Sequence, residues 1–367
     1  MNESAVASAR AWIIERPTPS RLKTSYGEAP DVRQHVLVEI AAASGAVGLG
    51  EASPLPEFTG ETAQGILEVL HETHLAALVG RDVTQIGAIV ADLERLRPGN
   101  PSAVAAIDLA LHDLAGKILE VPTVTLIGGA RRGSVRLARA VGIGPIPEIV
   151  ALAQRYTEDG FRTIKMKVGT DPQQDIERVR AVREAVGPDV RIRIDANQGY
   201  NVAAAIRVIR QLDGCALDYV EQPVPRRDVA AMAQIRRATG VRILADEAVH
   251  SPQDAVALIR AEAADLFALK FIKTGGLVRA RQIAAIGEAA GIDCIVISTF
   301  ETQIGAAAGL HLALSLPIGD HAHELSVFAT QAEMAQTGIR LEGDVLRPAP
   351  SSGHGVERIV EMAQVLR

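Results

Sequence analysis

The chain has 367 residues, of which 48% are hydrophobic and 22% charged, and 38 basic against 44 acidic side chains give a net charge of −6. This composition supports a buried core of about two domains, or one barrel with an attachment, and argues against disorder. A mildly acidic chain without a basic run is a poor partner for nucleic acid or an anionic membrane surface. We therefore expect neither a nucleic-acid partner nor a membrane partner.

Cysteine usage and the N-terminal residues bear on the compartment. The two cysteines, Cys215 and Cys294, exclude a disulfide scaffold and a cysteine-rich zinc site. Residues 1–17 carry several charges and lack the apolar segment of a signal peptide. No uncharged apolar run reaches membrane-spanning length. We therefore expect a cytoplasmic protein.

The first third of the chain has the pattern of an α+β unit. Residues 35–40 mix apolar and polar side chains as a sheet strand does, and residues 46–51 can return beside them after a Ser-Gly turn. Asn100-Pro101 predicts the start of a helix, because proline suits the first helical position. A glycine-rich stretch over residues 127–133 predicts a domain junction.

From about residue 134 the pattern changes to short β-rich runs that alternate with longer helical stretches. One helix is predicted to start at Asp171-Pro172 and to stop at Gly187. The run ends recur at the length of one strand–helix unit, which predicts a parallel barrel of eight such units. A doubly wound open sheet is the alternative, but no Gly-x-Gly-x-x-Gly turn follows the first run. The runs cover residues 134–142, 162–167, 190–195, 217–221, 241–246, 265–270, 292–297 and 320–325.

Three acidic residues, Asp195, Glu221 and Asp246, end successive runs. The carboxyl ends of barrel strands face the active site, so these carboxylates are expected to converge and to raise one another's pKa. A hard divalent cation relieves that repulsion. Oxygen ligands without His or Cys favour Mg²⁺, with Mn²⁺ as the alternative. Each acid taken alone is better explained as a helix cap or a solvated strand end, whereas three acids on successive runs at matched spacing favour the metal site.

Lysines end two further runs. Lys165 and Lys167 are two residues apart on a strand and share one face. Two adjacent ammonium groups beside a cation are expected to have a lowered pKa, which suits a general base, although a solvated strand edge is the alternative. Lys270 ends a run across the barrel, and Lys273 is its competitor, expected on the opposite strand face. A metal flanked by lysines predicts proton transfer through an enediolate of a carboxylate substrate.

As a set, these motifs resemble the enolase superfamily and, within it, the muconate lactonizing enzyme subgroup. The resemblance spans nearly the whole chain and includes the absence of a His at the end of the seventh strand, where the mandelate racemase subgroup places its base. The motifs are Lys165-x-Lys167, Asp195-x-Asn197, Glu221-Gln222-Pro223, Asp246-Glu247, and Lys270 followed by Gly275-Gly276.

The resemblance implies an α/β fold, in which an α+β capping domain covers a modified (β/α)7β TIM barrel. The capping domain would span residues 1–130 with a C-terminal return over 338–367, and the barrel residues 131–337. The resemblance also implies Mg²⁺ on the three acids, a facing acid/base pair of Lys167 and Lys270, and a homo-oligomer. Lys165 would hold the substrate carboxylate and adjust the pKa of Lys167. Asn197 and Glu247 would position the site residues without contacting the substrate themselves.

The substrate is harder to predict, because the subgroup includes muconate cycloisomerases, dipeptide epimerases, N-acylamino acid racemases and o-succinylbenzoate synthases. Residues 321–326 lack the Asp-x-Asp with which dipeptide epimerases bind a substrate ammonium group, and a lone Glu324 resembles the muconate enzymes. Pro54-x-Pro56 and residues 59–62 resemble dipeptide epimerases, and some cycloisomerases too. We expect a small carboxylate substrate and cycloisomerisation of cis,cis-muconate or a close relative. Racemisation or epimerisation of an N-acylamino acid or dipeptide is the alternative, and a non-catalytic binding barrel is the third interpretation.

Candidate substrate-binding residues lie in a capping loop over about residues 17–28 and after the last two barrel runs. In the loop, Arg21 or Lys23 could pair with the far carboxylate of a dicarboxylate. Each candidate has a plain structural alternative: a solvated loop charge, a helix cap or a packed histidine. The candidates are Arg21, Lys23, Tyr26, Glu301, His323 and Glu324.

Overall fold

A computed structural model describes residues 3–18, 22–317, 319–325 and 339–357. The strands are β1 (Val6–Pro17), β2 (Lys23–Thr24), β3 (Gly27–Glu28), β4 (Val32–Ala42), β5 (Val47–Ala52), β6 (Val135–Arg136), β7 (Arg139–Val141), β8 (Thr163–Lys167), β9 (Arg191–Asp195), β10 (Leu217–Glu221), β11 (Ile243–Ala245), β12 (Leu266–Leu269), β13 (Asp293–Val296), β14 (Ile339–Glu342) and β15 (Val345–Pro348).

The α-helices are α1 (Pro56–Thr59), α2 (Ala63–Val69), α3 (Ile86–Leu96), α4 (Pro101–Ile118), α5 (Thr123–Leu126), α6 (Ile146–Glu158), α7 (Pro172–Val186), α8 (Val202–Gln211), α9 (Val229–Thr239), α10 (Pro252–Arg260), α11 (Phe271–Thr274), α12 (Leu277–Ala289) and α13 (Gln303–Ser315). A π-helical turn covers Leu70–His74, and 3₁₀ turns cover Ala76–Leu78 and Asp213–Cys215. Within the described ranges, no helix is long and apolar enough to cross a membrane.

The N-terminal part is an antiparallel sheet, in the order β1-β4-β5, with helix α4 packed on it. The predicted strands at residues 35–40 and 46–51 and the helix start at Pro101 are confirmed, whereas the long strand β1 was not predicted. The helix lies in direct contact with β5, because a Cβ at Gly50 would come 1.9 Å from the carbonyl oxygen of Ala106. Only glycine permits that approach.

The second part is a curled parallel sheet of seven strands, β7 to β13, in chain order. The predicted eighth run forms isolated parallel bridges, from His323 to Leu137 and from Glu324 to Ile297. It therefore lies between the first and last strands of the sheet. This arrangement confirms the modified barrel, and helix α7, with Asp171 as its N-cap and Gly187 as its C-cap, confirms the predicted helix.

The run at residues 134–142 is two strands rather than the single one predicted. Strand β6 pairs antiparallel with β15, whereas β7 pairs parallel with β8 in the barrel sheet. The chain changes partner between them, where the N–H of Leu137 donates to the carbonyl of Asp344 at 2.7 Å and that of Ala138 to His323 at 2.9 Å. The divisions predicted at residues 130 and 337 remain predictions.

The C-terminal hairpin β14-β15 leads back to helix α4. The N–H of His354 donates to Asp113 Oδ1 at 2.7 Å, and the ring Nε2 lies 2.9 Å from the carbonyl oxygen of Leu109. Within the predicted return over 338–367, residue 338 and residues 358–367 lie outside the described residues.

Candidate active site

Strand register brings the three predicted acids together at one end of the barrel sheet. Lys167 on β8 pairs with Asp195 on β9, and Asp195 pairs with Glu221 on β10. Residues paired across neighbouring strands point to the same face, so these side chains enter the same space. Asp246 follows β11, and all three acids are 0% exposed. Burial first, and then the charge of Asp195, raise the pKa of Glu221 well above its ordinary value.

Lys165 lies at the centre of this group. Its Nζ donates to Glu221 Oε1 and to Glu324 Oε2, each at 2.9 Å, and lies 3.2 Å from Asp195 Oδ2. Burial by itself would lower the pKa of Lys165, but the surrounding carboxylates outweigh it and raise that pKa well above its ordinary value. Acidic neighbours rather than the second lysine dominate the surroundings of Lys165, and the lowered pKa predicted beside a bound cation stays a prediction.

The two lysines expected to face each other are held by different acids. Lys167 Nζ donates to Asp195 Oδ2 at 2.6 Å and to Asn197 Oδ1 at 2.9 Å. Lys270 Nζ donates to Asp246 Oδ2 at 2.5 Å. Burial by itself would lower the pKa of Lys270 as well, but the charges of Asp246, Glu221 and Glu247 together outweigh it and raise that pKa. The geometry thus places an ammonium group beside each of two acids.

Lys273 reaches the same acid as Lys270, which the sequence analysis did not expect. Its Nζ donates to Asp246 Oδ1 at 2.6 Å and to the carbonyl oxygen of Asp246 at 2.5 Å. The expectation of opposite strand faces is wrong, because strand β12 ends at Leu269 and Phe271–Thr274 is a helical turn. Residues three apart share a face on a helix. Burial lowers the pKa of Lys273.

A second layer of polar contacts joins the capping loop to the barrel. Tyr26 donates its hydroxyl to Glu247 Oε1 at 2.6 Å and accepts from Gln198 Nε2 at 2.6 Å. Asn197 Nδ2 also donates to Glu247 Oε1, at 3.2 Å. Burial first, and then the charge of Asp246, raise the pKa of Glu247 to about 7. The structure therefore brings Tyr26, Asn197 and Glu247 together beside the acids, and their roles toward a substrate stay predictions.

A cavity of about 1010 Å³ lies between the N-terminal sheet and the barrel. This volume suits a small molecule. Sequence reasoning missed Arg33 and Phe300 in its wall: a charge at the start of a strand and an aromatic residue in a loop carry no distinguishing signal. The lining includes Tyr26, Arg33, Phe58, Lys165, Lys167, Asn197, Lys270, Ser298, Thr299, Phe300 and Glu324.

One loop candidate for substrate binding does not line the cavity, and another lies outside the described residues. Lys23 does not line the cavity; its carbonyl oxygen accepts from the N–H of Ile143 at 2.9 Å and its side chain is exposed. The prediction that Lys23 contacts substrate is corrected accordingly. Arg21 lies outside the described residues.

Glu301 and His323 do not line the cavity, and their side chains bond to other parts of the protein instead. Glu301 accepts from the N–H of Thr299 at 2.9 Å and from the hydroxyl of Ser298, and so fixes the turn after β13. The ring Nδ1 of His323 accepts from the N–H of Val296 at 3.0 Å. Burial lowers the pKa of His323 to about 3, which keeps the ring neutral. Of the candidates after the last two runs, Glu324 lines the cavity.

The free oxygen atoms of the three acids bear on whether they could hold a metal ion. In the described part of the chain, no three His, Cys, Asp or Glu side chains are already gathered closely enough to hold a metal ion. Lysines instead hold the carboxylates of Asp195, Glu221 and Asp246. Glu221 Oε2, however, is buried and has no hydrogen-bond partner. Together with an all-oxygen donor set, this orphaned atom fits a hard divalent cation.

Two family models match the chain. The N-terminal domain of mandelate racemase / muconate lactonizing enzyme matches residues 10–128, and the enolase C-terminal domain-like model matches residues 148–361. The chain belongs to the mandelate racemase / muconate lactonizing enzyme family. This membership confirms the predicted enolase superfamily and its muconate lactonizing subgroup.

Relatives in this family carry several activities. L-Ala-D/L-Glu epimerase of Bacillus subtilis is 36% identical over 305 residues, 82% of each chain. N-succinyl-L-Arg/Lys racemase of Bacillus cereus is 34% identical over 314 residues, 85% of each chain. Muconate cycloisomerase 1 of Rhodococcus opacus is 33% identical over 365 residues, 97% of each chain. These relatives are isomerases, and the present family member is an isomerase.

A solved relative shows the same architecture. The dipeptide epimerase of Enterococcus faecalis, complexed with Mg and the dipeptide L-Leu-L-Tyr, aligns with a TM-score of 0.91 at 32% identity. The alignment covers 96% of this chain and 99% of that one. The family and the fold are therefore shared by epimerases and cycloisomerases alike, and the substrate has to be inferred from the side chains in the cavity.

Proposed function

We propose that this family member is an Mg²⁺-dependent isomerase that converts cis,cis-muconate, or a closely related dicarboxylate, into a lactone. The surroundings of Glu324 carry this proposal. Lys165 donates to Glu324 at 2.9 Å, and Arg193 Nη1 lies 3.6 Å from its other oxygen. Two cations thus balance the charge of Glu324. In the described part of its run, the residues one and two positions from Glu324, namely Ala322, His323 and Leu325, are not acidic, so a substrate without a free amino group fits better.

The metal would be held by Asp195, Glu221 and Asp246, whose fit was argued above. When bound, Mg²⁺ would supply the charge that stabilises a substrate carboxylate while its α-carbon carries negative charge. The complex of a solved relative with Mg supports this part of the proposal.

The lysines would bind the substrate and transfer its proton. Lys165, which lines the cavity, would hold a substrate carboxylate. In the proposed reaction, the substrate's other carboxylate adds to the conjugated double bond and forms the C–O bond of the lactone. The α-carbon then takes a proton from the Nζ of Lys167 or Lys270. Phe58 shields this region from water, since Lys270 Nζ lies 4.1 Å from the centre of its ring.

Racemisation of an N-acylamino acid is the second candidate. The arrangement of Lys167 on Asp195 and Lys270 on Asp246 favours it, because one lysine can remove the α-proton while the other returns a proton. The similarity to N-succinyl-L-Arg/Lys racemase supports the same chemistry. An acylated nitrogen carries no charge, so this substrate too avoids the need for a second acid beside Glu324.

Proton NMR with Mg²⁺ in D₂O tests both candidates. The panel contains cis,cis-muconate, N-succinyl and N-acetyl amino acids, and several dipeptides. We expect muconate to form a lactone that carries one solvent deuterium. Lys167→Ala and Lys270→Ala are each expected to lower the rate of any reaction that needs the lysine by about 10²- to 10⁴-fold, the usual size of general acid–base catalysis.

The pattern across the variants separates the candidates. Cycloisomerisation needs a single proton donor, so one of the two variants should keep its activity, whereas racemisation should lose it in both. Lys23→Ala, whose side chain is exposed outside the cavity, is the matched control and should react as the unchanged protein does. Exchange of an amino-acid α-proton with muconate untouched would favour racemisation, and no reaction on the whole panel would contradict both candidates.

A further inference from the structure

Arg33 is an arginine in the cavity wall without a carboxylate partner in the described part of the chain. It is the second residue of β4, in the N-terminal sheet, and it lines the cavity. Its Nε is buried and has no hydrogen-bond partner. The other cations close to the acids differ: Lys165, Lys167 and Lys270 each donate to a carboxylate. An unpaired, half-buried guanidinium lowers the stability of the folded protein unless a ligand supplies the missing negative charge.

The carboxylates nearest to Arg33 do not neutralise it directly. Glu57 and Glu301 act on its charge, yet neither forms an ion pair with it. Glu301 accepts hydrogen bonds from Thr299 and Ser298. Glu57 is exposed on helix α1. Because a guanidinium stays protonated in proteins, the cavity keeps a positive charge at this wall.

Phe300 holds the guanidinium in place. The Cζ of Arg33 lies 4.3 Å from the centre of the Phe300 ring, within the range of a cation–π contact. Phe300 has a positive φ of 68°, and the preceding residue is fixed to the N-terminal sheet: Ser53 Oγ donates to the carbonyl oxygen of Thr299 at 2.7 Å. A stacked guanidinium loses little freedom when it binds a planar anion, so the wall is organised before a ligand arrives.

A second arginine of the cavity is not equivalent. Arg139 also lines the cavity, but it lies over two aromatic rings, 5.1 Å from the centre of Tyr156 and 4.6 Å from that of Phe161. Arg139 is therefore explained by packing between the first barrel strand and helix α6. Among the described residues, Arg33 stacks on a single ring, and its buried Nε has no hydrogen-bond partner.

We propose that Arg33, stacked on Phe300, binds the substrate carboxylate that the lysines and the metal do not hold. This inference rests on the proposed function and narrows it: the substrate carries two anionic groups, one for the lysines and the metal and one for Arg33. A dicarboxylate, or an N-acylamino acid whose acyl chain ends in a carboxylate, meets this requirement. Arg33 would then do what the sequence predicted for Arg21 or Lys23, and for Arg21, outside the described residues, that role stays a prediction.

Matched ligands test the subsite directly. Racemic N-succinylalanine and N-butanoylalanine differ in a terminal carboxylate against a methyl group, and racemic ligands keep their composition under racemisation. Calorimetric titration with Mg²⁺ present should show about 10- to 100-fold tighter binding of the succinyl ligand, the range expected for a charged hydrogen bond. Arg33→Met should remove this preference, and Arg33→Lys should restore part of it.

Arg10→Met is the matched control. Arg10 lies in the same sheet, its Cζ is 5.2 Å from the centre of the Trp12 ring, and it is paired with Glu39 outside the cavity. Its replacement should leave the preference unchanged. Equal binding of both ligands by the unchanged protein, or a preference that survives Arg33→Met, would overturn the inference. If Arg33→Met does not fold, as judged by thermal unfolding, Arg33→Gln and the ligand ratio of the unchanged protein decide instead.

The reaction panel separates this inference from the proposed function. Conversion of cis,cis-muconate and α-proton exchange of both N-acyl ligands are followed in D₂O, because each of these compounds has a carboxylate next to its reacting carbon. If none of them reacts while the succinyl preference is present and depends on Arg33, the enolate chemistry fails and the subsite stands. If any of them reacts while both N-acyl ligands bind equally, the isomerase chemistry stands and the subsite fails.

Discussion

Asp246 is held from several directions by lysine side chains. Lys270 donates to Oδ2, while Lys273 donates to Oδ1 and to the main-chain carbonyl oxygen. Burial would raise the pKa of Asp246, but the two ammonium groups outweigh it and lower that pKa. Such buried ion pairs add little net stability over apolar packing, yet removing one partner leaves an uncompensated charge. Lys273 is therefore a positioning residue that holds Asp246 for the residues facing the substrate.

The Lys273→Met variant tests that role. Because Lys273 is fully buried against Asp246, we expect the free energy of unfolding to fall by about 3 to 5 kcal/mol. Urea unfolding followed by circular dichroism measures it. Lys23→Met, at an exposed position, is the control and should change stability by less than about 0.5 kcal/mol. A loss below about 1 kcal/mol for Lys273→Met would show that Asp246 does not depend on this partner.

Strand β5 of the N-terminal sheet anchors the loop after β13, whose residues Ser298, Thr299 and Phe300 line the cavity. Glu51 on β5 accepts from the N–H of Thr302 at 2.8 Å, from its hydroxyl at 2.7 Å and from His35 at 2.8 Å. These bonds anchor the start of helix α13 to the sheet. Helix α4 packs on the same strand through Gly48 and Gly50. The sheet, α4 and the loop after β13 therefore form a connected support for Arg33 and Phe300.

The Gly50→Ala and Gly87→Ala variants test how tightly α4 lies on β5. A Cβ at Gly50 would come 1.9 Å from the carbonyl oxygen of Ala106, whereas a Cβ at Gly87 on α3 meets nothing within 4 Å. We expect Gly50→Ala to lower the free energy of unfolding by about 3 kcal/mol or more, and Gly87→Ala to raise it by about 0.5 to 1 kcal/mol. Denaturant titration measures both, and equal effects of the two substitutions would contradict the packing.

At the scale of the whole molecule, buried neutral histidines make stability depend on pH. Burial lowers the pKa of His311, His323 and His354 to about 3 each. In the unfolded chain a histidine titrates near its ordinary value, so below that pH the unfolded state binds more protons and each buried histidine costs stability. Glu247, with a pKa raised to about 7, acts in the opposite direction, because its folded form binds a proton more readily.

The His323→Gln variant isolates one of these contributions. A glutamine oxygen can accept from the N–H of Val296 as the ring does, but it cannot be protonated. Between pH 7.5 and pH 5, the unchanged protein should lose about 2 kcal/mol of unfolding free energy relative to the variant, since each pH unit below the ordinary histidine pKa is worth about 1.4 kcal/mol. Urea unfolding at both pH values measures the difference, and parallel stability curves would contradict it.

The barrel and its acids could be predicted from sequence because both depend on local order along the chain. Apolar runs that recur at the length of a strand–helix unit predict the parallel sheet. Acids at the ends of successive runs then lie side by side at the carboxyl end of that sheet. Asp195 and Glu221 are paired in register for this reason. The break between β6 and β7 was not predictable, since it depends on a C-terminal hairpin far along the chain.

The chain sequence by itself determined the family, the modified barrel and the residues that gather at its carboxyl end, because these follow from spacing along single elements. Only the tertiary structure decided what each side chain contacts. Lys273 contacts Asp246 because a helical turn follows the end of strand β12. Arg33 contacts Phe300 because two segments far apart in sequence meet at the cavity. The spacing of residues within one element cannot predict such contacts, since they arise from the packing of elements that lie far apart in sequence.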